Sequence, residues 1–115
     1  MDDLVRFVDA QNPVYETVLR ELRNGRKEGH WMWFIFPQLR GLGHSAMAHK
    51  YGIASQQEAE AYLEHQVLGP RLVECTRLAK HLTFEYPDNL KFKSCMELFA
   101  GASKALNKYG GEFNP

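Results

Sequence analysis

An all-α fold, one compact multihelical domain with a short aromatic-rich central segment, is what this sequence predicts, and three observations carry the prediction. Apolar residues recur at helical spacing through most of the chain. No stretch alternates apolar and polar residues between hairpin turns, and no period repeats. A chain of 115 residues is one domain's worth, and 44% hydrophobic residues suffice for a buried core, which argues against intrinsic disorder. Residues 1–115 therefore read as a single domain, with 111–115 expected to be a loosely held tail.

In chain order, Leu4, Val5, Phe7 and Val8 share a helical face behind Asp2 or Asp3 as cap, giving a first helix that ends near Asn12. Asn12 and Pro13 suit the cap and first position of a second helix, and Val14, Val18, Leu19 and Leu22 give it an inner face up to Asn24. Asn24-Gly25 supplies a left-handed stop, with Arg20 and Arg23 in the last turn where cations complement the helix dipole. The run Trp31-Met32-Trp33-Phe34-Ile35-Phe36 fits a buried strand or a turn or two of buried helix; since everything around it reads as helix, a short helix broken before Pro37 is expected. After Gly43, a helix from His44 to Tyr51 closes at Gly52. Ser55 and Glu58 form a capping box for a helix through Ala59, Tyr62 and Leu63 that ends near His65. Pro70 opens a helix bearing Leu72, Val73, Cys75, Thr76, Ala79 and Leu82. Tyr86-Pro87-Asp88 interrupts, and Asp88 caps a helix expected to stop near Gly101, before a separate piece from Ser103 to Tyr109.

The N-terminus opens with acid and has neither a basic n-region nor an apolar h-region, so no signal peptide is expected and the cytoplasm is the expected compartment. The longest apolar run is far short of the roughly 18 residues that span a bilayer, so no membrane association is expected. Cys75 and Cys95 lie on separate helices without metal-ligand spacing and read as free, buried thiols. His44, His49 and His65 form no compact ligand set, so neither a metal nor a cofactor is expected.

Lys plus Arg number 14 and Asp plus Glu 14, a balance that argues against nucleic acid as a partner. The charges are nonetheless segregated. Residues 20–50 hold six bases against two acids, whereas residues 1–19 and 51–74 each hold one base against four acids. The positive block also carries the aromatic run and His30, His44 and His49. Within it, Arg26, Lys27 and Arg40 could neutralise a phosphate or carboxylate, and Gly41-Leu42-Gly43 ahead of a helix would let backbone N–H groups approach an anion. Trp31 and Trp33 offer flat faces for stacking, and His30, Gln38 and Ser45 could orient polar groups. The plainer alternative is that the aromatics are core, the glycines turn residues, and the bases solvated. No nucleophile elbow or phosphate-loop lysine spacing is present.

The string Gly25-Arg26-Lys27-Glu28-Gly29-His30-Trp31-Met32-Trp33-Phe34-Ile35-Phe36-Pro37-Gln38, followed by Gly41-Leu42-Gly43 and Ser45, closely resembles the signature of a bacterial family catalogued as domain of unknown function 1810. Ala10-Gln11, Tyr51-Gly52-Ile53, Leu68-Gly69, Arg71-Leu72, Glu74-Cys75 and the stretch from Ser94 to Phe99 extend the likeness over nearly the whole chain. The resemblance implies an all-α fold and no particular reaction. Some members carry a calpastatin-like label, which no residue pattern here supports. Departures are a shorter stretch between Thr76 and Asp88, Cys95 and Glu97 where Ser and Thr are usual, and a trimmed end near Tyr109-Gly110.

These features support two functional expectations. The first is a site for a small planar anion such as a nucleotide derivative at residues 26–51, built from Arg26, Lys27, His30, Trp31, Trp33, Gln38, Gly41, Gly43 and Ser45. Whether it would turn its ligand over is open; His30 is the candidate for acid–base work. The second is a protein-interaction module or homodimer anchored by the aromatic segment.

Overall fold

A computed structural model describes residues 3–114. Among the described residues seven helices succeed one another: α1 (Val5–Gln11), α2 (Tyr15–Arg23), α3 (Met32–Ile35), α4 (Ala46–Lys50), α5 (Gln56–Glu64), α6 (Leu68–Ala79) and α7 (Asp88–Leu106). The fold is all-α, with one isolated parallel bridge between Leu39 and Ile53 among the described residues. Helix α7 packs along α5, α5 and α2 pack on α6, and α1 packs on α3.

Aromatic rings centre the core. Tyr62 of α5 meets Phe7 edge-on at 5.2 Å and Phe99 at 5.1 Å. A second group joins Phe36, Phe84 and Phe92, with Phe36 and Phe92 5.0 Å apart. Edge-to-face contacts of this kind stabilise beyond the area they bury. The sharp corner between α5 and α6 needs a residue without a side chain, because a Cβ on Gly69 would lie 2.3 Å from the Leu63 carbonyl oxygen. There His65 Nδ1 accepts the N–H groups of Val67 and Leu68, two of the donors a helix start leaves unpaired.

Several local expectations need correction. Asp3 does not cap α1; its carbonyl and carboxylate both engage Arg6, while Leu4 takes the cap position. The alternative cap, Asp2, lies outside the described residues. Asn12 continues the α1 conformation and α2 begins at Tyr15, two residues beyond Pro13. Gly101 does not stop α7, which runs on to Leu106 as one helix. A mid-helix glycine costs about 1 kcal/mol, and the buried Leu98, Phe99, Ala102 and Ser103 around it outweigh that. The helix ends in a left-handed turn at Asn107 (φ +53°), where the Lys108 N–H returns to the Ser103 carbonyl. Within the expected tail, Phe113 is 1% exposed against Phe99 and Tyr109, and Arg77 pairs with Glu112 at 2.7 Å.

Candidate functional site

The segment from Gly25 to Tyr51 is shaped by backbone demands first. Helix α2 ends as its Asn24-Gly25 pair predicts: Gly25 is left-handed (φ +69°), its N–H bonds the Leu22 carbonyl, and the Arg26 N–H reaches back to Glu21. The Glu21 side chain, 5% exposed, then organises the loop from Glu28 to Trp31. One oxygen, Oε1, accepts the Glu28 N–H at 2.7 Å, the Gly29 N–H at 2.9 Å and the Trp31 indole N–H at 2.9 Å. Burial acts to raise the pKa of this carboxyl, but the three donors outweigh it and hold the group below the usual carboxylate range. Gly29 has no room for a side chain, since its Cβ would lie 2.9 Å from the Trp31 ring.

This clamp turns Trp31 into the core, 3% exposed, leaving no free face for stacking. Met32, Phe34, Ile35 and Phe36 are buried with it, and Trp33 is half-buried. The run thus forms the expected short helix, with all but one of its members committed to the interior. Gln11 fixes it from behind, donating through Nε2 to the Phe34 carbonyl at 2.8 Å and the Tyr62 hydroxyl at 3.1 Å. Beyond Pro37, the Gln38 carbonyl accepts the Ile53 N–H and the Arg40 N–H bonds Ile53 in turn. Gly52 permits this approach, because a Cβ there would lie 2.7 Å from Arg40 Cα.

Gly41, Gly43 and Ser45 have structural duties. Gly41 turns the chain in the left-handed region (φ +101°), and a Cβ on Gly43 would meet that of Ala48 at 2.8 Å. Ser45 caps the five-residue α4, its Oγ accepting the Ala48 N–H at 3.1 Å. His30 is exposed and its side chain has no partner among the described residues.

The nine expected site residues are not gathered at one place. Arg26 and Lys27 line a cavity of about 320 Å³ together with Thr83, Phe84, Glu85 and Asp88. Trp33 and Gln38 border a crevice with Tyr51 and Lys91 that is too narrow to admit water. One carboxylate links these two places: Asp88 lies 3.0 Å from Lys27 and 3.7 Å from Lys91. Each lysine also covers a tryptophan, Lys27 at 5.3 Å from a Trp31 ring centroid and Lys91 at 3.6 Å from that of Trp33.

Sequence reasoning missed Asp88 and Lys91 as neighbours of this segment, because only tertiary packing brings α7 against it. It also missed Glu21, although an acid among Val18, Leu19 and Leu22 on the inner face of α2 was a readable signal. Leu39, Leu42 and Met47 are the further omission; they are 40%, 58% and 36% exposed. Among the described residues, no group of three or more His, Cys, Asp or Glu could hold a metal ion. None of the described helices is long and apolar enough to cross a membrane.

The family model described as "Protein of unknown function (DUF1810)" matches residues 1–113. The chain belongs to the DUF1810 family. The DUF1810 chain is also similar to the crystal structure of the conserved hypothetical protein Rv1873 from Mycobacterium tuberculosis. The two are 54% identical, with a TM-score of 0.86 over 96% of this chain and 81% of that one. No curated protein matches the DUF1810 chain.

Proposed function

We propose that this domain is a binding module whose working surface is the 38–50 segment, and that it docks an acidic, apolar stretch of a partner protein. The observation that carries this reading is the exposure of Leu39, Leu42 and Met47 within a part of the chain that has no acid between Glu28 and Glu58. Arg40, His44, His49 and Lys50 lie in the same stretch of chain and are themselves exposed. Exposed apolar residues within a polar rim mark interaction surfaces, and the basic residues of this segment, of which Arg40 is partly offset by Glu58, favour a partner of the opposite sign. The surface is also preformed, since the Leu39–Ile53 bridge and the Ser45 cap fix its backbone, which lowers the ordering cost of association. The anchor is thus this loop; the aromatic run expected to serve as anchor is mostly core.

Selection from a random peptide library on the native protein and on Leu42→Glu tests the reading. The expected result is enrichment of peptides combining Asp or Glu with large apolar residues, lost in the variant and weakened by salt. Enrichment without acidic bias, or unchanged in Leu42→Glu, refutes it. A concentration-dependent dimer in light scattering that Leu42→Glu abolishes also refutes it, by giving the surface to a second copy.

A second reading, a small anionic ligand at residues 26–51, is favoured by one observation: the 320 Å³ cavity beside Arg26, whose side chain has no partner among the described residues. It is tested by nucleotide-induced thermal shifts in native protein and Arg26→Ala. Shifts lost in the variant support it, and no shift in either protein ends it.

A further inference from the structure

A second groove runs between the end of α2 and the outer face of α6, adjoining the 26–51 segment only at Gly25. Two adjoining cavities form it, of about 530 and 450 Å³, and both are walled by Arg23, Arg77 and Leu78. The larger is also lined by Pro70, Val73, Glu74 and Tyr109. Its volume lies within the range of small-molecule sites, and its make-up, apolar surfaces with a few charged groups, matches theirs.

The charges on its walls are unequally engaged. Glu74 lines the groove, with one oxygen accepting the Tyr15 hydroxyl at 2.6 Å. Arg77 holds the Glu112 carboxylate through two bonds, Nε at 3.1 Å and Nη2 at 2.7 Å. That fork is the geometry in which a guanidinium binds carboxylate or phosphate, so the chain's own Glu112 shows that Arg77 is set to hold such a group. Opposite it, the Arg23 side chain has no hydrogen bond or ion pair among the described residues. Tyr109, which lines the groove, is held in a left-handed backbone conformation (φ +62°) that aromatic residues rarely adopt. Its ring meets Phe113 edge-on, and its hydroxyl lies over Gly69, where a Cβ would stand 3.1 Å away.

We propose that the α2–α6 groove is a binding site for a small flat-ringed anion, an aromatic ring bearing a carboxylate or phosphate. Arg23 and Arg77 take the anionic group, and Tyr109 packs against the ring. Glu112 is an internal competitor for Arg77, so ligand binding exchanges one carboxylate for another oxyanion.

Ligand-observed NMR titrations test this with indole-3-acetate and adenosine monophosphate as ring-bearing anions. Indole and adenosine serve as rings without charge, and acetate and phosphate as anions without a ring. At least one ring-bearing anion is expected to bind at least about tenfold tighter than its neutral ring and than its bare anion, one bidentate arginine contact being worth about that factor. Arg23→Gln, at an exposed side chain without a partner, is expected to weaken that binding by about the same factor, and Glu112→Gln to strengthen it several-fold. A ring-bearing anion that binds no better than its neutral ring or its bare anion overturns the proposal, as does binding unchanged in Arg23→Gln. None of these variants touches the 38–50 surface, so peptide docking there is unaffected whichever way the groove behaves.

Discussion

Replacing Glu21 by alanine removes one oxygen that holds three donors, and the structure allows the consequence to be worked out. Hydrogen bonds to a charged group contribute about 1.5–3 kcal/mol each. Two of the donors, the Glu28 and Gly29 N–H groups, are only partly buried, so water replaces the carboxylate there at small net loss. The third, the Trp31 indole N–H, is buried, and leaving it unpaired costs about 1–3 kcal/mol. Relief of the carboxylate's own desolvation offsets part of the loss. The net expectation is a destabilisation of about 1–2 kcal/mol, or roughly 5–10 °C in melting temperature. Glu21→Gln keeps an acceptor oxygen but loses the charge, and is expected to cost about half as much. Urea unfolding at pH 7 followed by circular dichroism measures both variants, and exchange of the Trp31 indole proton reports the local opening. A Glu21→Ala protein within about 0.5 kcal/mol of native stability refutes the reasoning. Equal losses in the two variants show that charge matters and the acceptor geometry does not.

Three other expectations are open to direct measurement. Glu21 and Glu58 are both held below the usual carboxylate range in the folded chain; for Glu58, the Arg6 guanidinium and the Ala54 N–H overcome the effect of burial. Their contribution is therefore complete above the unfolded carboxyl pKa, about 4.3, and is lost as pH falls through the lower folded values. Urea midpoints measured from pH 7 to pH 3 should drop in the native protein and drop less in Glu21→Gln. Burial pushes the Cys75 thiol up to about 12, partly offset by the Tyr15 hydroxyl, and pushes Cys95 well above its ordinary value. Neither should react with a disulfide reagent at pH 8 until denaturant is added, and rapid labelling of the native protein contradicts their burial. Phe113→Ala should cost about 3–4 kcal/mol, because the ring is fully enclosed against Phe99 and Tyr109; a loss under about 1 kcal/mol in urea unfolding means that the tail is not docked.

Much of the helical organisation was legible because it rests on near neighbours. The Gly25 stop, the Ser55 cap on the Glu58 N–H and the break after Phe36 each depend on residues within a few positions. Ser45 shows the limit of that reading: its hydroxyl was expected to orient a ligand within a helix starting at His44, but it caps α4 by accepting the Ala48 N–H. Gly101 misled because its propensity cost was weighed without the packing of α7 on α5. The Leu39–Ile53 bridge could not be foreseen from two segments with no strand pattern. For the aromatic run, composition showed that it mattered but not which way each ring faces; a buried acid on another helix decides that for Trp31.

By itself the sequence determined an all-α chain, the approximate extent of most helices, and a positive, acid-free middle offset by acidic neighbours. Those properties arise from propensity, capping and composition, which act over a few residues or none. Tertiary structure alone decided that Lys27 and Lys91 share Asp88, that Leu39, Leu42 and Met47 stay outside while Trp31 goes in, and that Arg23 and Arg77 border one groove. These juxtapositions join residues far apart in the chain. They are set by which apolar faces must be buried against each other, and that is a property of the whole packed core.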